Sequence, residues 1–296
     1  MSPVSPASKD MWSDFVRNYD RLYRNGPTTG GALLLVEAAN TASPLSRAST
    51  ILDIGCGGGQ IVTEVLEKYN SVIPESTRII ASDFVKGMVN IVREDQKRHI
   101  SSGNTKWERL ETAVLDATDL SSFKDGECSH VLAGFVFNGL PNPAKALQEA
   151  NRVLRPGGIL VLTNVKSGEW VDLLQVIKDI RPDLPQPPTV KSFAPTWHED
   201  ADTKAHLEGA RFQDVEVQEI PLTYSFSSYQ ELREKLFDSL PFLGKWLSEM
   251  TGEEIEKAKD LLVERTKGTY PSEPFALRGT ATLAVGRKQS SLGMMG

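Results

Sequence analysis

The chain has 296 residues with 33 basic and 39 acidic side chains, a formal net charge of −6, and at roughly 100–200 residues per domain it makes one large domain or two modest ones. A content of 40% hydrophobic and 24% charged residues is an ordinary globular profile and excludes disordered, collagen-like and coiled-coil chains. The acidic balance, with a pI near 5.4, argues against nucleic acid or anionic membrane as the main partner, because both are met by a basic face; a small molecule is the expected ligand.

Residues 1–10 are rich in Ser and Pro and lack the basic start and apolar centre of a secretory signal. Trp12, Phe15, Tyr19 and Tyr23 then recur at helical spacing, and a second apolar run follows Gly30-Gly31, which predicts two helices ahead of the main fold. From there short apolar runs alternate with helical periodicity: strand 50–54, helix 61–69, strand 78–81, helix 85–99, strand 107–114, strand 130–136, helix 143–154 and strand 159–164. Pro143 suits the first turn of its helix, and Arg155-Pro156-Gly157-Gly158 should stop it. Such alternation implies right-handed crossovers and a parallel sheet with helices on both faces. Beyond residue 165 the pattern predicts a helix over 169–180, a proline-rich crossing and a strand over 212–226. Two helices opened by Ser228-x-x-Glu231 and Thr251-x-x-Glu254 follow, then a last strand over 276–285. No run approaches the ~20 apolar residues of a membrane span. Cys56 and Cys128 make neither a disulfide framework nor a metal-ligand spacing, which suits a reducing, cytoplasmic setting and no metal.

The informative cluster is Asp53-Ile54-Gly55-Cys56-Gly57-Gly58-Gly59-Gln60, between the first strand and the first helix. Glycines there let a ligand touch backbone N–H groups at a helix N-terminus. A dinucleotide loop wants a small residue where Gln60 stands, and a phosphate loop ends in Gly-Lys-Ser/Thr, which is missing. A carboxylate at Asp53 disfavours pyrophosphate and attracts an ammonium group, so the expected ligand is a cationic cofactor.

The pattern Asp53-x-Gly55-x-Gly57-x-Gly59 resembles motif I of class I S-adenosylmethionine-dependent methyltransferases, and the resemblance extends over residues 45–165. It implies a Rossmann-like α/β fold, a doubly wound and mostly parallel seven-stranded sheet. The methyltransferase domain would span 46–296, with helical cap insertions at about 166–206 and 227–275 and lead and cap helices in 1–45. It also implies S-adenosylmethionine as cofactor. Ser82-Asp83-Phe84 resembles the family's second strand end, where Asp83 would hold the ribose hydroxyls, and Met88 stands where a side chain packs on adenine. Leu115-Asp116-Ala117 resembles the turn that meets the adenine amino group, and Ala133-Gly134-Phe135 the segment at the methionine end. Tyr23 on the leading helix is an expected further cofactor contact, and Tyr19 and Tyr23 are rival pocket residues. More narrowly, Phe135-Val-Phe-Asn138, the aromatic leading helix and Val165-Lys-Ser-Gly-Glu-Trp170 are similar to fungal secondary-metabolite methyltransferases, including those acting on dithiol natural products. Where the family often has histidine, this sequence has Asn138.

Methyl transfer from a sulfonium is an in-line displacement in which the protein supplies alignment and exclusion of water. A base is needed for a phenol or alcohol, less so for a thiol or amine. Among the histidines, His198 lies where such proteins build a substrate pocket and is the candidate base. Phe135, Phe137, Asn138, Trp170 and Trp197 are the expected pocket residues. The expected activity is methylation of O, N or S on a small apolar metabolite; a non-methylating rearrangement or cyclisation on the same fold, or a non-catalytic regulatory module, are the alternatives.

Overall fold

In the computed structural model, which describes residues 12, 13, 16, 19, 26–193, 195–237 and 243–290, the apolar runs pair as expected. The strands β1 (Thr50–Ile54), β2 (Arg78–Asp83), β3 (Leu110–Val114), β4 (Cys128–Gly134) and β5 (Leu154–Gly168) are parallel. The long β6 (Phe212–Phe226) and β7 (Phe275–Lys288) complete the sheet antiparallel, β7 pairing with both β5 and β6. The order β3-β2-β1-β4-β5-β7-β6 makes seven strands, and the reversal of strand order between β1 and β4 opens a crevice at the strands' carboxyl ends.

Alternation along each strand divides the core in two. Ile51, Ile79, Leu132 and Val161 face a cluster shared with α1 (Pro27–Ala42), α2 (Gln60–Tyr69) and Val92 of α3 (Lys86–Ser101). Leu52, Ile80, Val131 and Leu160 face a second cluster under α4 (Pro143–Val153) and Leu207 of α5 (Asp200–Gly209). Strands buried on both faces read as unbroken apolar runs. The helix α4 starts at Pro143 with the Asn142 side chain accepting from Lys145 N, and turns Ala146, Leu147, Ala150 and Val153 inward.

Four boundaries differ from expectation. Residues 105–109 form a 3₁₀ turn instead of opening β3, because Trp107 tucks inward, stacks on His99 at 4.2 Å and donates from Nε1 to Glu67 at 2.7 Å. The strand β4 stops at Gly134, since Phe135 takes a left-handed φ of 60°. Arg155-Pro156-Gly157-Gly158 lies within β5, and β5 runs on to Gly168 because β7 pairs alongside it. The helix over 169–180 breaks into turns at 169–172, 173–175 and 176–180; its buried Val171, Leu174 and Ile177 recur every third residue, which suits tighter winding than an α-helix. Both capping signals work: Ser228 caps α6 (Tyr229–Lys235), and Thr251 with Glu254 closes a reciprocal box on α7 (Gly252–Thr269). No helix among the described residues is long and apolar enough to cross a membrane.

One buried titratable group lies away from the crevice. His130, near the start of β4, donates from Nε2 to the Ser43 carbonyl at 2.9 Å, and burial pushes its imidazole down to about 4. Above the ordinary value of about 6.5 the ring is neutral in both states; below it the unfolded chain gains a proton that the folded chain refuses, so stability falls as pH drops from 6.5 towards 4. Urea unfolding should therefore show a loss of about 2 kcal/mol from this group between pH 7.5 and pH 5. That increment should be missing in His130→Gln; equal pH dependence in both proteins would assign the loss elsewhere.

Candidate active site

The chain leaves β1 at Ile54 and turns through Gly55, Gly57 and Gly59 into α2, whose first N–H groups face the crevice. Two bonds fasten this loop to β2. Cys56 N donates to the Ser82 carbonyl at 2.8 Å, and Gly57 N donates to Asp83 Oδ2 at 3.1 Å. The other Asp83 oxygen accepts from Val85 N at 2.9 Å. Gly57 has φ 51°, and a methyl group there would overlap the hydroxyl of Tyr19. Tyr19 is buried on the loop, hydrogen-bonded to the Gln60 side chain and the Gly58 backbone, and burial with the facing Asp83 charge raises its phenol above the usual range.

Asp53 heads the loop with 0% exposure, and neither carboxylate oxygen has a hydrogen-bond partner among the described residues. It stands on the α1–α3 face, level with Leu132 of β4. Burial, then the charge of Asp83, pushes its carboxyl well above the usual range; burial does the same to the Cys56 thiol. Asp83 is raised by burial too, but held back by the N–H groups of Val85 and Gly57. An enclosed carboxylate without a donor is costly unless a cation meets it, and Asp83 keeps acceptor capacity suited to a vicinal diol. On that donor set the residues fit a ligand carrying both an ammonium group and a ribose, as S-adenosylmethionine does.

Of the other expected cofactor residues, Phe84 and Met88 lie in the cluster that includes Tyr19: they pack with Val85 and Ile91 against Trp12, Val16 and Tyr19 of the leading helix, while Tyr23 lies outside the described residues. Asp116 is exposed at the bend after β3; its Oδ1 accepts from Thr118 N at 2.8 Å and Thr118 Oγ1 at 2.7 Å, and Leu115 N donates to the Asp83 carbonyl at 3.0 Å. Ala117 and Ala133 turn into the second core cluster.

The five expected pocket residues do not form one wall. Phe137 and Trp197 stack at 5.4 Å but are buried in the α4–α5 cluster, whereas Trp170 is buried on the opposite face, edge-on to Tyr224 at 6.4 Å. Strand and loop alternation separates them. Phe135 and Asn138 remain half-buried near the crevice, Phe135 with its N donating to the Thr163 carbonyl at 2.9 Å and its ring against Gly31 of α1. His198 Nε2 lies 3.3 Å from Glu199 Oε1, and its Nδ1 is buried with no partner among the described residues. Its neighbour Trp197 stacks on His206 at 4.4 Å.

Sequence reasoning passed over Thr163 and Asn164. Thr163 sits level with Gly134 of β4, and its hydroxyl, like both amide atoms of Asn164, is buried with no partner among the described residues. The signal was a polar pair closing the otherwise apolar strand 159–162. Beside them Lys166 bridges Asp200 at 3.0 Å and Glu219 at 2.7 Å, and Thr282 donates to Asp200 at 2.6 Å. A surface depression of about 200 Å³, lined by Glu169, Asp172, Arg265 and Tyr270, belongs to other elements; the absence of glycine-loop and β1–β4 residues from its lining makes it a poor candidate for the chemistry.

Residues 52–162 match the family model described as a methyltransferase domain. The chain is 30% identical over 282 residues to the methyltransferase ucsB of Acremonium sp, covering 95% of this chain and 96% of that protein. It is 26% identical over 264 residues to the acetylaranotin bis-thiomethyltransferase of Aspergillus terreus, covering 84% and 88%. A Haemonchus contortus phosphoethanolamine N-methyltransferase 2 in complex with S-adenosyl-L-methionine shares the fold at a TM-score of 0.52 and 14% identity, over 94% of this chain and 57% of that one.

Gly57→Ala should weaken S-adenosylmethionine binding at least tenfold, because the new methyl meets Tyr19 and the left-handed backbone is strained. Gly103→Ala, also at positive φ but with nothing within 4 Å, should lower the melting temperature and leave binding intact. Isothermal titration with far-UV circular dichroism compares them; normal binding by Gly57→Ala would remove the loop from the site.

Proposed function

The chain belongs to the class I S-adenosylmethionine-dependent methyltransferases, and we propose that it methylates an O, N or S nucleophile of a small apolar molecule, a secondary metabolite, in the cytoplasm. The observation that carries the cofactor side of this reading is Asp53, a fully buried carboxylate without a hydrogen-bond donor at the head of a glycine loop. Near-complete alignment with two fungal methyltransferases supports the small acceptor, and the second relative's name makes a thiol one of the acceptors to try. Two buried cysteines kept as free thiols suit a reducing compartment.

When bound, the cofactor supplies a methyl group on a sulfonium, already reactive towards a nucleophile. Asp53 would take the ammonium, the backbone N–H groups of Gly55, Gly57 and Gly59 would serve the methionine end, and Asp83 would accept from the ribose diol. Phe84, Met88 and Asp116 would line the adenosine, and the segment after Ala133 would face the methionine end. The domain is taken as 46–296 with 1–45 as its cap, whose Trp12, Val16 and Tyr19 pack on Phe84, Val85 and Met88 and would keep water from the adenosine.

On the acceptor side Phe135 and Asn138 line the approach to Gly134. Trp197, the neighbour of His198, stacks on Phe137, one residue before Asn138, and this is what makes His198 the base to test. With Nε2 beside Glu199, its Nδ1 lone pair is the proton acceptor for a hydroxyl. A thiol or amine acceptor makes less demand on it.

Incubating the protein with isotope-labelled S-adenosylmethionine and a metabolite extract should place label in a small product found by mass spectrometry; label appearing in protein or nucleic acid instead would overturn the acceptor class. With the product known to be an ether, His198→Gln should lower kcat on the order of 100-fold and leave cofactor binding unchanged. An unaltered kcat would take His198 out of the reaction.

A further inference from the structure

We propose that cofactor binding at the glycine loop expels one proton from Asp53. The inference rests on the reading above that Asp53 meets the cofactor's ammonium group. Among the described residues Asp53 has no exposed surface, no donor to either oxygen and no compensating cation beside it. The titratable groups around it are the Asp83 carboxyl from β2, the Cys56 thiol in the loop and the Tyr19 phenol from the leading helix, which faces Asp83 and Cys56. Its strand neighbours, Ala81 on β2 and Leu132 on β4, are apolar.

Two carboxyls enclosed together do not both ionise readily. Geometry decides which one holds the proton. Asp83 accepts N–H bonds from Gly57 and Val85, at 3.1 and 2.9 Å, and these stabilise its charged form. Asp53 has no such support, so the free protein keeps it as the neutral acid. An ammonium arriving beside Asp53 reverses the balance. The Asp53 O–H bond breaks, the proton passes to buffer, and the carboxylate left behind pairs with the ammonium, which keeps all its own protons. Affinity then rises with pH, up to tenfold per unit while the proton is still to be displaced.

Isothermal titration of the full chain at pH 6.5 with S-adenosylhomocysteine, repeated in phosphate, imidazole and Tris, reads the proton count from the dependence of observed heat on buffer ionisation enthalpy. The expected count is about one proton released. Two controls separate the inference from the reading beneath it. Methylthioadenosine, which keeps the adenosine and lacks the ammonium, should bind with no proton released. Asp53→Asn should bind methylthioadenosine as the wild type does, which shows it folded, bind S-adenosylhomocysteine at least tenfold more weakly, and release no proton. A wild-type count of zero, or one that persists in Asp53→Asn, overturns the proposal. Unweakened binding of S-adenosylhomocysteine by Asp53→Asn instead overturns the placement of the ammonium at Asp53.

Discussion

The carboxylate of Asp83 holds the crevice in shape. One oxygen takes the N–H of Gly57, the other that of Val85, so a single side chain joins the loop after β1 to the start of the segment after β2. Its own carbonyl accepts from Leu115 and adds the bend after β3 to the same knot. Three turns that would otherwise move separately are thereby set in register at the edge where strand order reverses. Each bond is a backbone N–H satisfied at a strand end, where no ladder partner is available. The charge-assisted pairs are stronger than neutral ones in an enclosed place.

The second constraint is the two-residue period of the strands. It sends Asp53, Leu132, Val161 and Thr163 to the α1–α3 face and Leu52, Ala133, Leu162 and Asn164 to the other. The acidic loop therefore shares its face with α2, whose N-terminus follows it, and with the leading helix that closes over Met88. Aromatic residues close in sequence but opposite in parity, or carried past the strand end by a loop, end in different cores. Trp170 and Trp197 are the clearest case.

The parallel half of the fold was legible because its signals are local and mutually consistent. Glycines followed the first strand, acidic residues sat at successive strand ends, and Pro143 opened the most regular helix. The long β5–β7 extension was not, since pairing with β7 carries β5 past Asn164 to Gly168, and a partner more than a hundred residues away leaves no local mark. The cofactor corner was readable to the residue because each role there needs a particular chemical type, a glycine or a carboxylate. The acceptor pocket was not, because aromatic residues serve core and pocket equally well, and nothing local sends Phe137 inward and leaves Phe135 half-buried. Thr163 and Asn164 carried a usable signal, two polar side chains at the end of an apolar strand.

Electrostatics explains how this topology comes to hold one ligand class and refuse another. A glycine turn at a helix N-terminus offers positive N–H dipoles, which by themselves suit a phosphate. Here the dipoles face a crevice that already contains Asp53 and Asp83, one buried on the loop's approach and the other bonded to the loop itself. A pyrophosphate would bring two more negative charges into that space at low effective dielectric, where repulsion is several times stronger than in water. A ligand with an ammonium, a sulfonium and a ribose brings the opposite charges and a pair of hydroxyl donors. A pyrophosphate is thus opposed by the charged Asp83 and leaves Asp53 as the neutral acid, whereas an arriving ammonium makes Asp53 the second carboxylate and a ribose diol meets Asp83.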